Sequence, residues 1–579
     1  MTHTFRVWAP NAEAVAVEVN GRAETMFSGD DGWWEVTIDD AGPGTSYAFS
    51  VDGKDAHPDP RSPSQPEGVH GPSQVVDQTA FEWHDSRWRG FTLTAAIIYE
   101  VHVGTFSRDG TFAGVTDRLD HVQALGVNAI ELMPVAEFAG ARGWGYDGVD
   151  LFAAHHAYGG PDGLKRLVDA CHERDIAVVM DVVYNHVGPE GNYLTAFGPY
   201  FTNRYVTPWG DALNYDGANS DDVRAFVLDN ITMWLRDYHC DGVRLDAVHA
   251  IVDTSATHLL EDIVGRVESL RDELGRELWV IAESDANDPR LVRERSLGGF
   301  GVHAQWSDNF HHALHALLTG EHNGYYVDFG QAEDLCTALR QAFVYTGQYS
   351  TYRRRRFGRA IGAVPLNRFL AYSQNHDQVG NRAAGDRLCH IVTEGRARIA
   401  AALTLLSPFL PMVFQGEEWA ASTPFQYFTD LGDRHLQQAV SEGRRQEFRA
   451  FGWDPADVPD PQAVETFERS RLRWDEIGAP RHQRMLDWYK QLIALRAATP
   501  VLLEAYPADV RAWFDAQRGA LFYECAGLLV VCNLGSEPAI ITEARGNLPV
   551  LASQALEELE GGWCVPVDAV GAWRTVAGR

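Results

Sequence analysis

The spacing of apolar residues changes twice along the chain. Over residues 1–90 the period is two. Val15, Val17 and Val19 alternate with Ala16 and Glu18, and Trp34, Val36 and Ile38 with Glu35, Thr37 and Asp39. Tyr47, Phe49 and Val51 repeat the pattern after the turn-like Gly42-Pro43-Gly44. Successive side chains of a strand point to opposite faces, so this pattern predicts short strands with one buried face, as in a β-sandwich. A stretch rich in Pro, Ser and Gly, 57–73, reads as a linker wrapping onto the next unit.

From about residue 91, near-continuous apolar runs alternate with segments of helical spacing. The runs at 95–103, 127–133, 176–183, 242–246, 278–283, 302–306, 369–374 and 411–415 read as buried parallel strands. Segments 115–125, 163–174, 221–238, 255–274 and 481–497 read as helices, with Gly126 placed to stop the first. Repeated βα units of this number predict an α/β fold, a (β/α)8 TIM barrel over 91–499. An open doubly wound sheet would normally show a Gly-rich phosphate loop after an early strand, and the sequence has none. Segment 187–220 interrupts the alternation. It is long, irregular and rich in Gly, Pro, Tyr and Asn, and its place after the third strand sets it above the face where barrel enzymes work. Beyond 500 the helical spacing is lost, and 521–523, 528–533, 539–542 and 563–567 predict a C-terminal β domain over 500–579.

Composition narrows the partners more than the fold. With 45% apolar and 22% charged residues the chain is an ordinary globular one. Its net charge of -31 would repel nucleic acid and anionic membranes, and suits a neutral substrate such as a sugar, although solubility alone accounts for most of it. The seven cysteines are scattered, with no CxxC pair for zinc or redox chemistry. That usage, the absence of a basic-then-apolar leader before Phe5-Arg6-Val7-Trp8, and the lack of a membrane-spanning run predict a cytoplasmic protein. The 17 Trp, 20 Tyr and 27 Phe are mostly core, but rings also stack on the CH faces of sugars.

Three carboxylates carry the functional signal. Asp246, Glu283 and Asp377 each fall at the C-terminal end of a different expected strand, where barrel enzymes place their catalytic groups. Asp181 and His376 fall there too. Arg244 and Asp246 are two apart on one strand and therefore share a face; the guanidinium can hold Asp246 ionised, as a nucleophile must be. Glu283 follows an apolar strand, so desolvation can keep it protonated as an acid. Two carboxyls with opposed protonation states are what glycosidic cleavage needs. Any one of these acids alone is more often a strand-end cap or a salt bridge; the joint pattern is not.

Four segments, Asp181–His186, Gly242–His249, Glu283 with its strand, and Asn375–Asp377, resemble in order the four conserved regions of the α-amylase superfamily, glycoside hydrolase family 13. The resemblance covers roughly residues 90–500. It implies Asp246 as nucleophile, Glu283 as general acid/base and Asp377 as the acid that binds sugar hydroxyls. It implies Arg244, His186 and His376 as residues that orient the sugar and Asp246, and Tyr146 as the aromatic beneath the sugar. It also implies retention of anomeric configuration, hence carboxyls of Asp246 and Glu283 about 5–5.5 Å apart. Phe5-Arg6-Val7-Trp8-Ala9-Pro10 resembles the N-terminal β domain of branching, debranching and trehalose-releasing members. Arg142–Val149, Asp181–Asn192, Gln374–Arg387 and the stretch from Gly416 through Phe428 look like the trehalose-releasing version. The implied reaction is cleavage of the α-1,4-glucosidic bond next to the terminal trehalose of malto-oligosyltrehalose, giving trehalose and a maltodextrin, with a malto-oligosyltrehalose synthase as the metabolic partner. The alternative within the family is a glucan branching or debranching enzyme; outside enzymes altogether, it is a glycan-binding scaffold that kept the fold.

Three further expectations concern particular residues. Tyr205 or Trp209 in the long loop either helps recognise the trehalose unit or only packs the loop. Glu417 and Glu418 are read as structural acids paired with arginines, and Arg353–Arg356 as partners of surface acids, with one reaching the substrate. No cofactor and no metal are expected: Asn185, a calcium ligand in many amylases, stands without a run of Asp and Asn oxygens at calcium spacing.

Overall fold

The computed structural model describes residues 1–450 and 458–575. The last four residues of the expected C-terminal domain lie outside that range. At its centre eight parallel strands close into a barrel: β1 (Ile98–Val101), β2 (Ala129–Leu132), β3 (Ala177–Val182), β4 (Gly242–Leu245), β5 (Trp279–Ala282), β6 (Ala304–Trp306), β7 (Phe369–Ala371) and β8 (Leu410–Phe414). All eight expected strands are present, and β8 pairs with β1 to complete the ring.

The barrel interior explains how the fold positions chemistry. Alternate residues of a strand point inward. At the N-terminal pole the inward positions are apolar: Ile98, Ala129, Ala177, Val179, Trp279, Ile281, Ala304, Trp306, Leu370, Tyr372, Leu410 and Met412 form one packed cluster. Two residues further along most of these strands the inward position carries a polar or ionisable group. Ile98 leads to Glu100, Ala129 to Glu131, Val179 to Asp181, Ile281 to Glu283 and Trp306 to Asp308. On β4, Gly242, Arg244 and Asp246 follow the same step.

Helices cover the outside of the barrel. The segment expected at 115–125 divides into Phe112–Thr116 and Leu119–Leu125, and Gly126 ends the second at φ 96°, a left-handed conformation that glycine adopts without a Cβ clash. The helix expected from 255 begins at Leu259 instead. Asp253 accounts for the delay: its carboxylate accepts the N–H groups of Ser255 and Leu259, at 2.9 and 2.7 Å, and holds the intervening turn.

The long segment after β3 is more ordered than its composition suggested. It holds a helical turn, Leu194–Phe197, and a hairpin, Phe201–Thr207 with Gly210–Leu213. Most of the first hairpin strand is exposed or half-buried, so no apolar alternation was there to announce it. The N-terminal sandwich, a three-stranded and a four-stranded sheet, leans on this segment. Trp8 packs edge-on against Tyr200, and Trp33 Nε1 donates to Asp222. The Pro/Ser/Gly-rich stretch folds back: Ser73–Gln74 extends the four-stranded sheet, and Arg61 reaches Asp229 on a barrel helix. At the other end, a five-stranded and a three-stranded sheet form a sheet-rich C-terminal region. Among the described residues no helix is long and apolar enough to cross a membrane, and all seven cysteines are free thiols.

Candidate active site

Arg244 is the hub of the polar C-terminal pole. Its side chain is fully buried, with the guanidinium 4.2 Å above the Trp306 ring. Asp181 lies beside it in the strand register, and Arg244 Nη1 donates to both Asp181 oxygens at 2.8 Å. The same nitrogen donates to Asp246 Oδ1 at 2.9 Å, and Nη2 lies 3.8 Å from Glu283 Oε2. Buried arginine among acids needs such partners, since desolvating an unpaired charge costs several kcal/mol, of order ~3–5 when one partner is removed. Burial pushes the Asp181 carboxyl up to about 6 even beside this cation.

Asp246 and Glu283 stand one residue beyond the paired Leu245 and Ala282. Asn185 Nδ2 donates to Asp246 Oδ2 at 2.7 Å and to its carbonyl at 2.9 Å. The Asp246 carboxylate thus accepts one bond on each oxygen, from Arg244 and Asn185. Among the described residues Glu283 receives a single hydrogen bond, from the Ala247 N–H at 2.5 Å. Ala247 reaches it by adopting φ 40°, which a residue with a Cβ enters at a cost. Burial raises the Glu283 pKa well above the carboxylate range, and the nearby Asp246, Asp308 and Asp377 add to the rise against the pull of Arg244.

The third acid borders a second chain of contacts. Asp377 is partly exposed, with Oδ1 3.6 Å from His376 Nε2. His376 is held from behind by Glu100, which accepts both its backbone N–H, at 2.9 Å, and its ring Nδ1–H. Burial pulls the His376 pKa down, but the Glu100 carboxylate outweighs it and sets the pKa at about 9. Doubly protonated, the ring donates through Nε2 to the Tyr146 hydroxyl at 2.8 Å; Tyr146 in turn donates to Asp181 Oδ2 at 2.7 Å. Tyr146 and His376 stack with centroids 5.1 Å apart. Gly145 makes this placement possible: at φ 96° it approaches Pro134 so closely that a Cβ would lie 2.0 Å from the carbonyl oxygen.

His186 Nε2 donates to the Tyr146 carbonyl at 3.0 Å, which orients the ring, and burial lowers its pKa. Trp209, at the hairpin tip, stacks on His186 with centroids 4.5 Å apart and planes 8° apart, and is 49% exposed. Tyr205 is tied elsewhere: its hydroxyl donates to Asp216 at 2.9 Å. The structure therefore brings together Asp246, Glu283, Asp377, Arg244, Tyr146, His186, His376 and Trp209, and leaves Tyr205 within its loop.

Two expected pairings take a different form. Glu417 accepts from the hydroxyls of Ser373 and Tyr489, and Glu418 from Tyr99 and His121, so hydroxyls and a histidine replace the expected arginines. Of the arginine run, Arg353 faces inward to Asp285 at 3.0 Å, while Arg356 donates to a carbonyl. The sequence reading did not single out Glu100, Glu131 or Asp308. The signal was available: an ionisable residue at an inward position of a buried parallel strand or just past its end breaks the apolar run such strands require.

One group offers metal-ligand chemistry outside this site. Glu137, His155 and His156 bring their ligand atoms within 4.8 Å of one another. Glu137 accepts from His156 Nδ1 at 2.6 Å, and His155 Nδ1 lies 3.2 Å away. Two ligands of one zinc-sized ion, each at ~2.0–2.1 Å, sit wider apart than a 2.6 Å hydrogen bond. The cluster reads as a buried carboxylate held by histidines. Asn185 gives its amide to Asp246 rather than to an open oxygen cage.

A closed parallel barrel with a buried arginine between two unlike carboxyls, beside the Tyr146 ring, is the arrangement of an α-amylase-type glycoside hydrolase. Residues 84–206 match the family described as alpha amylase, catalytic domain, and residues 1–66 match carbohydrate-binding module 48, the isoamylase N-terminal domain. The chain is 49% identical to the malto-oligosyltrehalose trehalohydrolase of Arthrobacter ramosus, over 94% of this chain and 95% of that one. It is 46% identical to that of Mycobacterium tuberculosis, over 93% of each. A crystal structure of a putative alpha amylase from Salmonella typhimurium superposes with a TM-score of 0.91 at 36% identity, covering 99% and 98% of the two chains. A 1,4-alpha-glucan branching enzyme of Pseudoalteromonas atlantica is 30% identical over only 54% of this chain and 49% of its own. The chain belongs to the malto-oligosyltrehalose trehalohydrolases of glycoside hydrolase family 13.

Proposed function

We propose that this enzyme hydrolyses the α-1,4-glucosidic bond next to the terminal trehalose of malto-oligosyltrehalose, with retention, and that Asp246, Glu283 and Asp377 carry the reaction. Asp246 attacks the anomeric carbon and forms a covalent glycosyl-enzyme. Glu283 protonates the departing trehalose oxygen, then takes a proton from the water that releases the maltodextrin. Asp377 binds hydroxyls of the sugar at the cleavage point, and His376, held by Glu100, positions Tyr146, which offers that sugar its ring. Trp209 helps recognise the trehalose unit. The observation that carries the mechanism is the unlike treatment of two neighbouring carboxyls around one guanidinium: Asp246 bonded on both oxygens, Glu283 buried and raised. The named relatives support the choice of substrate, because their likeness runs through nearly the whole chain, whereas the branching-enzyme likeness covers about half.

A cytoplasmic site of action, next to a synthase that supplies the trehalose-ended substrate, fits the free thiols. The deciding experiment compares maltotriosyl-trehalose with maltopentaose. Fast trehalose release from the first and slow attack on the second is the expected result. Equal cleavage, or chain transfer to a 6-hydroxyl, would move the enzyme to a general amylase or branching role. Trp209→Ala should raise KM for the trehalose-ended substrate more than for the plain oligomer; an equal change in both would reduce Trp209 to loop packing.

A further inference from the structure

The opposite pole of the barrel holds a cavity of about 560 Å³. It lies below the strand beginnings, between the helix Leu259–Leu274, the turn Leu93–Ala95 and the segment leading to the C-terminal sheets. Its size falls within the ~300–1,000 Å³ of small-molecule sites. Arg271, Glu277, His303, Arg368, Glu504 and Tyr506 contribute its functional groups.

These groups are largely unspent. Arg271 makes no side-chain hydrogen bond among the described residues, and Arg368 donates only to the His303 carbonyl, at 3.0 Å. Neither arginine pairs with Glu277 or Glu504, or with any other carboxylate within 4.0 Å, among the described residues, although all four line one cavity. Elsewhere the partly buried arginines are engaged: Arg224 holds Asp253 and Asp262, and Arg382 holds Glu321. His303 Nδ1 accepts the Val280 N–H at 2.8 Å, so the ring proton sits on Nε2. Burial, then Arg368 and Arg271, push its pKa down to about 4, which leaves a neutral ring with one N–H to donate. Tyr506 is 48% exposed and its hydroxyl has no partner among the described residues.

We propose that this cavity is a second sugar site, taking a neutral mono- or disaccharide remote from the catalytic acids. The charge pattern selects the ligand. An anion would face Glu277 and Glu504; a cation would face Arg271 and Arg368. A sugar hydroxyl donates and accepts at once, so a polyol satisfies arginine N–H groups and carboxylates in one bound pose. Thr92, Thr94 and Asn367 in the wall add neutral polar groups of the kind such ligands use. The exposed Tyr506 ring offers an apolar face for sugar CH groups.

Titration calorimetry of the full chain with trehalose and with maltose tests this, on wild type, on Arg271→Gln/Glu277→Gln, and on Tyr506→Ala. Both variants alter side chains with access to solvent, and far-UV circular dichroism and Tm verify that they fold. Saturable disaccharide binding in wild type should weaken at least about tenfold in both variants, through loss of one charge-assisted hydrogen bond or more in the first and of the ring's apolar face in the second. Their rate on malto-oligosyltrehalose should stay at the wild-type value, which separates this site from the catalytic one whatever the catalytic residues prove to be. Binding that is equal in all three proteins, or absent in wild type, overturns the proposal. So does displacement by inorganic phosphate, which would mark an anion pocket.

Discussion

Asp246 and Glu283 leave adjacent strands at the same height, yet their surroundings are opposite. Asp246 faces two donors, one of them the Arg244 cation, and both of its oxygens are engaged. Glu283 has one backbone N–H, and three other acids lie near enough to raise its pKa. Donors from Arg244 and Asn185 hold one carboxyl on both oxygens, while burial among like charges raises the pKa of the other. The lesson is that β4 and β5 supply equal positions and the neighbours assign the roles.

The largest test removes the nucleophile. Asp246→Asn should lower kcat on malto-oligosyltrehalose by roughly 10⁴-fold or more, as loss of a central catalytic group does. Glu283→Gln should lower it by about 10²–10⁴-fold, the usual share of general acid catalysis. A substrate with an activated leaving group, such as an α-maltosyl fluoride, separates the two. Its departure needs no proton, so the first step in Glu283→Gln should recover as a burst of fluoride release, whereas Asp246→Asn should stay inactive. Recovery in Asp246→Asn instead would reverse the assignment.

A smaller effect probes the support of Asp246. Asn185→Ala deletes one hydrogen bond to a charged group, worth about 1.5–3 kcal/mol, and should cost roughly 10–100-fold in kcat. KM should change less than kcat, since Asn185 reaches the sugar only through Asp246 and through His186, whose ring Nδ1 it also bonds. A KM effect with unchanged kcat would place Asn185 in substrate binding.

The strands of the barrel were readable because buried parallel strands leave long apolar runs, and the acids proposed as catalytic stood out because they end those runs in order. The hairpin carrying Trp209 was not, because strands that project into solvent need no apolar face. Glu100 was overlooked for the converse reason. It lies inside a run that reads as core, Ile98-Tyr99-Glu100-Val101, and only the closed barrel shows that its inward step ends on His376. Glu131, its neighbour in the register, is fully buried with neither oxygen hydrogen-bonded among the described residues. Burial and then the Glu100 charge raise its pKa well above the usual range, so it is a neutral acid, marked in the sequence only by its break in the apolar run of its strand.

The smallest effect tests the electrostatics of Glu283 alone. Asp308 follows β6 at the inward step after Trp306, and its carboxylate accepts the Tyr372 hydroxyl. Burial pushes its own pKa up to about 6, so above that pH it is an anion near Glu283. In the proposed mechanism Glu283 works protonated, so activity should fall as pH rises through its raised pKa. Asp308→Asn removes a negative charge that helps to raise that pKa, so the alkaline limb of kcat against pH should move down, with the rate on the plateau little changed. Tyr372 can still donate to the amide oxygen, which keeps the local geometry. If the limb stays in place, Asp308 has no part in raising Glu283, and the rise rests on burial with Asp246 and Asp377.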